Sequence, residues 1–155
     1  QRRRADTPPV IKATPAQLPT LLVQAKAQRA DLVIIDTAGR SDVATRHAIQ
    51  AADLVLIPCR PSAADLDAIE DTIRLMQLTP DKRAAVILNA APVRGSMAED
   101  ARAAIVERLA VVPIVLCQRS AYAYAWIDGR SVEEYDADGK AADEIRALYQ
   151  WLIQH

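Results

Sequence analysis

At 155 residues, with 51% hydrophobic and 25% charged side chains, the chain is long enough for one domain with a sizeable core and too apolar to be disordered. Its formal charge of −1 gives no global field toward nucleic acid or membrane, although its 19 basic side chains could still cluster on one face. Phenylalanine is absent and aromatics make up 4%, so Ala, Val, Ile and Leu must build the interior, as in a parallel sheet covered by helices.

Val10 to Ala13 is a short candidate strand. Thr14 can cap the next helix, with Pro15 at its first position, Gln17 completing a capping box, and Leu18, Leu21, Leu22 and Ala25 on its apolar face. Pro19 fits that helix awkwardly, because it removes a donor near the end of the first turn. Asp31-Leu-Val-Ile-Ile-Asp-Thr-Ala-Gly-Arg40 follows. Its apolar run, Leu32 to Ile35, suits a strand buried on both faces of a parallel sheet. Asp36 then falls at the strand's carboxyl end, where open α/β sheets bind ligands. A carboxylate there can hold magnesium, usually through water. Gly39 lets backbone approach a phosphate without a side chain intervening. The segment reads as a Walker B strand with its switch turn. The glycine-rich phosphate loop that would complete such a site is not among the 155 residues.

Further along, the pattern predicts a helix over Val43 to Ala52 and a strand over Leu54 to Cys59, bounded by Pro58 and Pro61. Ser62 and Asp65 cap a third helix with Leu66, Ile69, Ile73 and Met76 at helical spacing. Ala84 to Leu88 is a buried strand ending in Asn89. Ser96 and Glu99 form a capping box for a helix through Leu109. Val111 to Cys117 is a strand interrupted by Pro113. A short helical patch runs from Ala121 to Ile127, stopped by Gly129. The last helix spans about Asp138 to Ile153, with Ile145, Leu148 and Leu152 inward. Tyr122, Tyr124 and Trp126, at spacing two, read as packing residues of the short helix rather than as one strand face that, beside Arg119 and Arg130, could stack on nucleic acid, and Tyr149 and Trp151 read as seals on the last helix. Strands and helices alternate, which predicts an α/β fold with a mostly parallel, doubly wound sheet. Cys59 and Cys117, the two cysteines, read as reduced, buried thiols. With His47 and His155 far apart in sequence, they suggest no metal site. No run approaches the roughly 20 apolar residues of a membrane span, and no signal peptide is visible.

Several segments together resemble one family. Asp31 to Gly39 looks like its Walker B segment. Ala52-Asp-Leu-Val-Leu-Ile-Pro-Cys-Arg-Pro-Ser62 with Asp65-Leu66 looks like its next strand and proline-bounded loop. Val86-Ile-Leu-Asn89 resembles the strand bearing its base-recognising asparagine. Arg119 to Ala125, Gly129 to Val132 and Lys140 to Ile145 resemble its carboxyl-terminal section. The chain is similar to the ParA/MinD family of deviant-Walker ATPases, with the small ParA-type partition proteins nearest. The resemblance implies a P-loop NTPase-like sheet whose first strand, expected mid-sheet, and phosphate loop are missing. A βαβ unit takes roughly 30 or more residues. Residues 1–155 would then form a single domain, the carboxyl-terminal three-quarters or so of the family's ATPase domain.

The resemblance also implies roles. ATP and Mg are the expected ligands. Asp36 would hold the ion's water. Thr37 and Gly39 would sense the γ-phosphate through their backbone, an order–disorder switch. Asn89 would present its amide to the adenine edge, with Gln118 and Arg119 beside the base, although Arg119 could instead cap a strand end. The lysines, the threonine and the aspartate that carry hydrolysis in the family belong to the missing block, so no catalytic residue is expected here and the supplied chain should be inactive. The parent protein would be an ATP-dependent plasmid or chromosome partitioning ATPase, cytoplasmic and nucleoid-associated. It would form an ATP-dependent homodimer, bind DNA without sequence preference, and answer to a ParB-like stimulating partner, with no membrane tether. The rivals are a cobyrinic acid diamide synthase-like ligase, a receiver domain phosphorylated on Asp36, and a non-catalytic scaffolding remnant. The receiver reading lacks the acidic pair after Val10 to Thr14 and the lysine after the last strand.

Overall fold

The computed structural model describes residues 8–37 and 43–155. Three parallel strands, β1 (Leu54–Cys59), β2 (Arg83–Ala91) and β3 (Ala110–Cys117), form a sheet in the order β1-β2-β3. Their connections carry α3 (Ala63–Ala68) with α4 (Glu70–Gln77), and then α5 (Met97–Ile105). Ahead of the sheet lie α1 (Leu18–Ala27) and α2 (Val43–Ala51). After it come α6 (Ser120–Asp128), α7 (Val132–Tyr135) and α8 (Lys140–Leu152).

The period-two alternation of β2 makes the sheet two-sided. Val86 and Leu88 face one layer, where Ile49 of α2, Ile73 and Met76 of α4, and Ala101 and Ile105 of α5 are buried with them. Ala85 and Ile87 face the other, against Val112 and the half-buried Leu148 and Trp151 of α8. Val86 and Leu88 are fully buried, worth about 1.5–3 kcal/mol each against exposure. Helices on both faces of a parallel sheet give the doubly wound α/β class expected.

Pro113 has a visible consequence. Val86 pairs with Val111 but Leu88 pairs with Val115, so β3 is irregular between them. A proline cannot donate to a ladder. The Arg102 guanidinium donates to the Val112 carbonyl at 3.0 Å and the Pro113 carbonyl at 3.3 Å, satisfying acceptors beside the irregularity.

The amino-terminal expectations need correction. Val10 to Ala13 is not a strand; Val10 is 75% exposed. Leu32 to Thr37 joins no ladder, and Ile34 is 81% exposed. The physical reason is the lack of a pairing partner: among the described residues β1 pairs with β2 alone, and no strand is hydrogen-bonded to the run. Pro19 is accommodated because Pro15–Gln17 forms a separate 3-10 turn, which moves Pro19 to the start of α1, where no N–H is needed.

Smaller differences follow the same logic. The third helix is split at Ile69 into α3 and α4, while the Ser62 hydroxyl still accepts from the Asp65 N–H at 3.3 Å. Ser96 bonds the Asp100 carboxylate at 2.9 Å rather than forming a box with Glu99, and α5 ends at Ile105 rather than Leu109. Helix α7 was not foreseen; its Ser131 and Glu134 form a reciprocal capping box. Trp126 is 73% exposed, and Tyr124 and Tyr149 are also exposed, so these three aromatics do not pack in the core. Cys59 is buried and Cys117 half-buried, and both are free thiols.

Candidate functional site

In a parallel sheet all strands end on one edge, so Cys59, Ala91 and Cys117 lead into loops on the same side. An open, shallow cavity of about 420 Å³ lies there, lined by residues that include Val93 after β2, Gln118 to Ala121 after β3, and Asp136 and Lys140 ahead of and within α8. The fold therefore brings Gln118 and Arg119 into one cavity. Asn89 lies on the neighbouring strand and is exposed; it does not line that cavity. Its Oδ1 accepts from the Ala90 N–H at 2.9 Å, and Ala90 is held at φ 50°, a left-handed conformation that costs an alanine. One lone pair of the amide oxygen and both amino hydrogens stay available to a ligand edge.

Asp36 and Thr37 lie at the end of the unpaired apolar run. Both are exposed, and neither lines the cavity. Gly39 falls outside the described residues. Among the described residues no three His, Cys, Asp or Glu side chains converge as a metal cage. Magnesium is commonly held by one or two carboxylates with phosphate oxygens and water, and the exposed Asp36 carboxylate fits that chemistry.

The β3–α6 turn is the most tightly tied part of this edge. The Gln118 N–H donates to the Ala91 carbonyl at 2.7 Å, joining β3 to the end of β2. Glu144, reaching from α8, accepts from the Cys117 N–H at 3.1 Å. Its other oxygen accepts from Arg119 Nε and Nη2 at 2.9 and 2.7 Å. The Tyr122 hydroxyl lies 3.3 Å from Glu144 Oε2 and 3.3 Å from the Ala141 carbonyl. Arg119 thus lines the cavity while its guanidinium is tied to Glu144. Burial, reinforced by the Glu144 carboxylate, pushes the Tyr122 phenol up to about 12. Burial and the same carboxylate push the Cys117 thiol up as well, so it is not an activated nucleophile. Burial, with Asp65 beside it, also raises the Cys59 thiol.

Sequence reasoning missed Glu144, Lys140, Asp136 and the polar role of Tyr122. A signal existed: Lys140 and Glu144 are one helical turn apart on α8, inside a segment that the family resemblance singles out without assigning a role.

Comparison with known proteins now fits this geometry. The family model described as ATPase MipZ matches residues 10–124, a stretch that contains Asp36, Asn89, Gln118 and Arg119. The chain is 33% identical over 131 residues to maintenance of carboxysome distribution protein A of Halothiobacillus neapolitanus, spanning 79% of this chain and 60% of that protein. The cell division ATPase MinD of Pyrococcus furiosus has a similar structure, with TM-score 0.73 and 17% identity over 92% of this chain and 59% of that one. The septum site-determining protein MinD of Pyrococcus horikoshii, solved with Mg-ADP, gives TM-score 0.70 and 16% identity over 90% of this chain and 57% of its own. The chain thus spans about 60% of the length of these relatives. No helix among the described residues is long and apolar enough to cross a membrane. The match over 10–124 settles the family: this chain belongs to the ATPase MipZ family, within the ParA/MinD type of deviant-Walker ATPases.

Proposed function

We propose that these 155 residues are the base- and switch-side part of an ATP-driven positioning protein, which works with a glycine-rich, lysine-bearing phosphate loop contributed from outside them. The observation that carries the reading is the MipZ match across Asp36, Asn89, Gln118 and Arg119. The carboxysome-distribution relative supports cargo positioning as the wider class. Within that class, DNA is the proposed matrix: the nucleotide-bound homodimer holds DNA without sequence preference, and a ParB-like partner stimulates hydrolysis and release.

Magnesium bound with the nucleotide would supply charge neutralisation at the phosphates, and the Asp36 carboxylate would hold a water of that ion. The Thr37 and Gly39 backbone senses the terminal phosphate. The Asn89 amide meets the base edge, and the Gln118–Ala121 turn lies beside the base. The cobyrinic acid diamide synthase-like alternative is not favoured, because the named relatives are distribution and division proteins.

The test is DNA binding by a longer chain that carries the loop, measured with ATP, ADP and no nucleotide. Binding should require ATP and fall steeply with salt, as contacts to phosphates do. Equal DNA binding in all three states, or none, contradicts the DNA-matrix reading; ATP-dependent amide formation in the same preparation would revive the ligase.

A further inference from the structure

We infer that Glu144 is a positioning residue for the base-side wall of the nucleotide site, an assignment that rests on the reading proposed above. One carboxylate on α8 holds the β3–α6 turn at three places: the Cys117 N–H, the Arg119 guanidinium and the Tyr122 hydroxyl. Between the first two lies Gln118, whose own N–H is bonded to Ala91 at the end of β2. Gln118, Arg119, Ser120 and Ala121 are consecutive and all line the cavity. The wall's shape is therefore set by a side chain that does not itself line it.

Burial makes the arrangement demanding. The Glu144 and Arg119 side chains retain 14% and 20% of their exposure. Removing the carboxylate leaves the Arg119 guanidinium and the Cys117 N–H without their acceptor, and such groups reorganise toward water. Arg119 lines the cavity, so a released guanidinium can swing into it. Glu144 thus keeps a long cation out of the space the base would take. Tyr122 supports it from the α6 side: a phenol that stays protonated has a hydrogen to place between Glu144 and the Ala141 carbonyl. The role is indirect, because Glu144 acts on a ligand through the turn and Arg119.

The experiment titrates adenosine and guanosine into an isotopically labelled longer chain that carries the phosphate loop and follows the amide resonances of Gln118 to Ala121. Wild type should show adenosine-induced shifts there and weaker shifts with guanosine. Glu144→Ala should weaken adenosine binding about tenfold, the lower end of what losing an orienting outer partner costs elsewhere, and should erase the preference over guanosine. Glu144→Gln keeps an acceptor oxygen and should restore binding to within about threefold, since neutral hydrogen bonds replace charge-assisted ones. Circular dichroism melting of each variant separates this from unfolding. Should Glu144→Ala not fold, Arg119→Lys carries the test: it keeps the charge, loses the fork, and should lower the base preference by the same order. Unchanged adenosine affinity and preference in a folded Glu144→Ala overturns the positioning role while leaving the nucleotide site standing. No adenosine shift at Gln118 to Ala121 in wild type overturns the base-site reading itself, and the inference with it.

Discussion

Two apolar runs in this chain invite the same reading, and the structure treats them differently. Leu54 to Ile57 is a paired strand, with Ile57 buried and its ladder running from Leu54–Arg83 to Cys59–Leu88. Leu32 to Ile35 is as apolar, yet it forms no ladder and leaves Ile34 exposed. Strand formation depends on a neighbour as much as on the residues themselves, because backbone donors and acceptors need partners and the side chains need a face to pack on. The first run has β2 beside it and helices over it. Among the described residues the second is hydrogen-bonded to no strand.

This contrast can be tested by substitution. The largest effect should come from Leu88→Ala, which opens a hole in the fully buried center of β2; urea unfolding should show a loss of about 2–5 kcal/mol. An intermediate effect should appear at high pH. The Tyr122 phenol ordinarily titrates near 10 and is pushed up to about 12 in the fold. Folding therefore favours the protonated form: its contribution is fully present below about pH 10 and is lost as pH rises through about 12. Tyr122→Phe should remove the part of the alkaline destabilisation due to this group, seen as a flatter dependence of the urea midpoint on pH across that window. The smallest effect should be that of Ile34→Ala, within about 0.5 kcal/mol, as for other exposed positions. A loss there as large as that of Leu88→Ala would mean that the run is buried in solution and would break the contrast.

Much of the sheet was legible in the sequence because its signals are local. Leu54 to Cys59 matches β1 at both ends and Cys117 ends β3 as expected, whereas β2 runs past the expected end at Asn89 to Ala91. The Ile69, Ile73 and Met76 spacing found a real buried face, although not the break between α3 and α4. Less legible was everything set by distant partners. Asp31 to Thr37 has the composition of a strand, but pairing is decided by chain elsewhere. Glu144 carries no local signal of its role. Its role appears only when α8 is laid against β3, 27 residues from the Cys117 amide that it binds. Arg119 could be read toward the base or toward a strand end; the fold places its residue at the cavity and its guanidinium on Glu144. Trp126 and Tyr124 read as packing residues of a short helix, and α6 turns them outward.

The functional account depends most on Asp36, the acid that follows the unpaired run. The direct measurement is calorimetric titration of Mg-ATP into a longer chain carrying the phosphate loop, for wild type and Asp36→Ala, with and without magnesium. The account predicts magnesium-dependent binding that Asp36→Ala weakens about 10–100-fold, the range for losing a group that orients a metal's shell. Equal magnesium-dependent affinity in wild type and Asp36→Ala would contradict it.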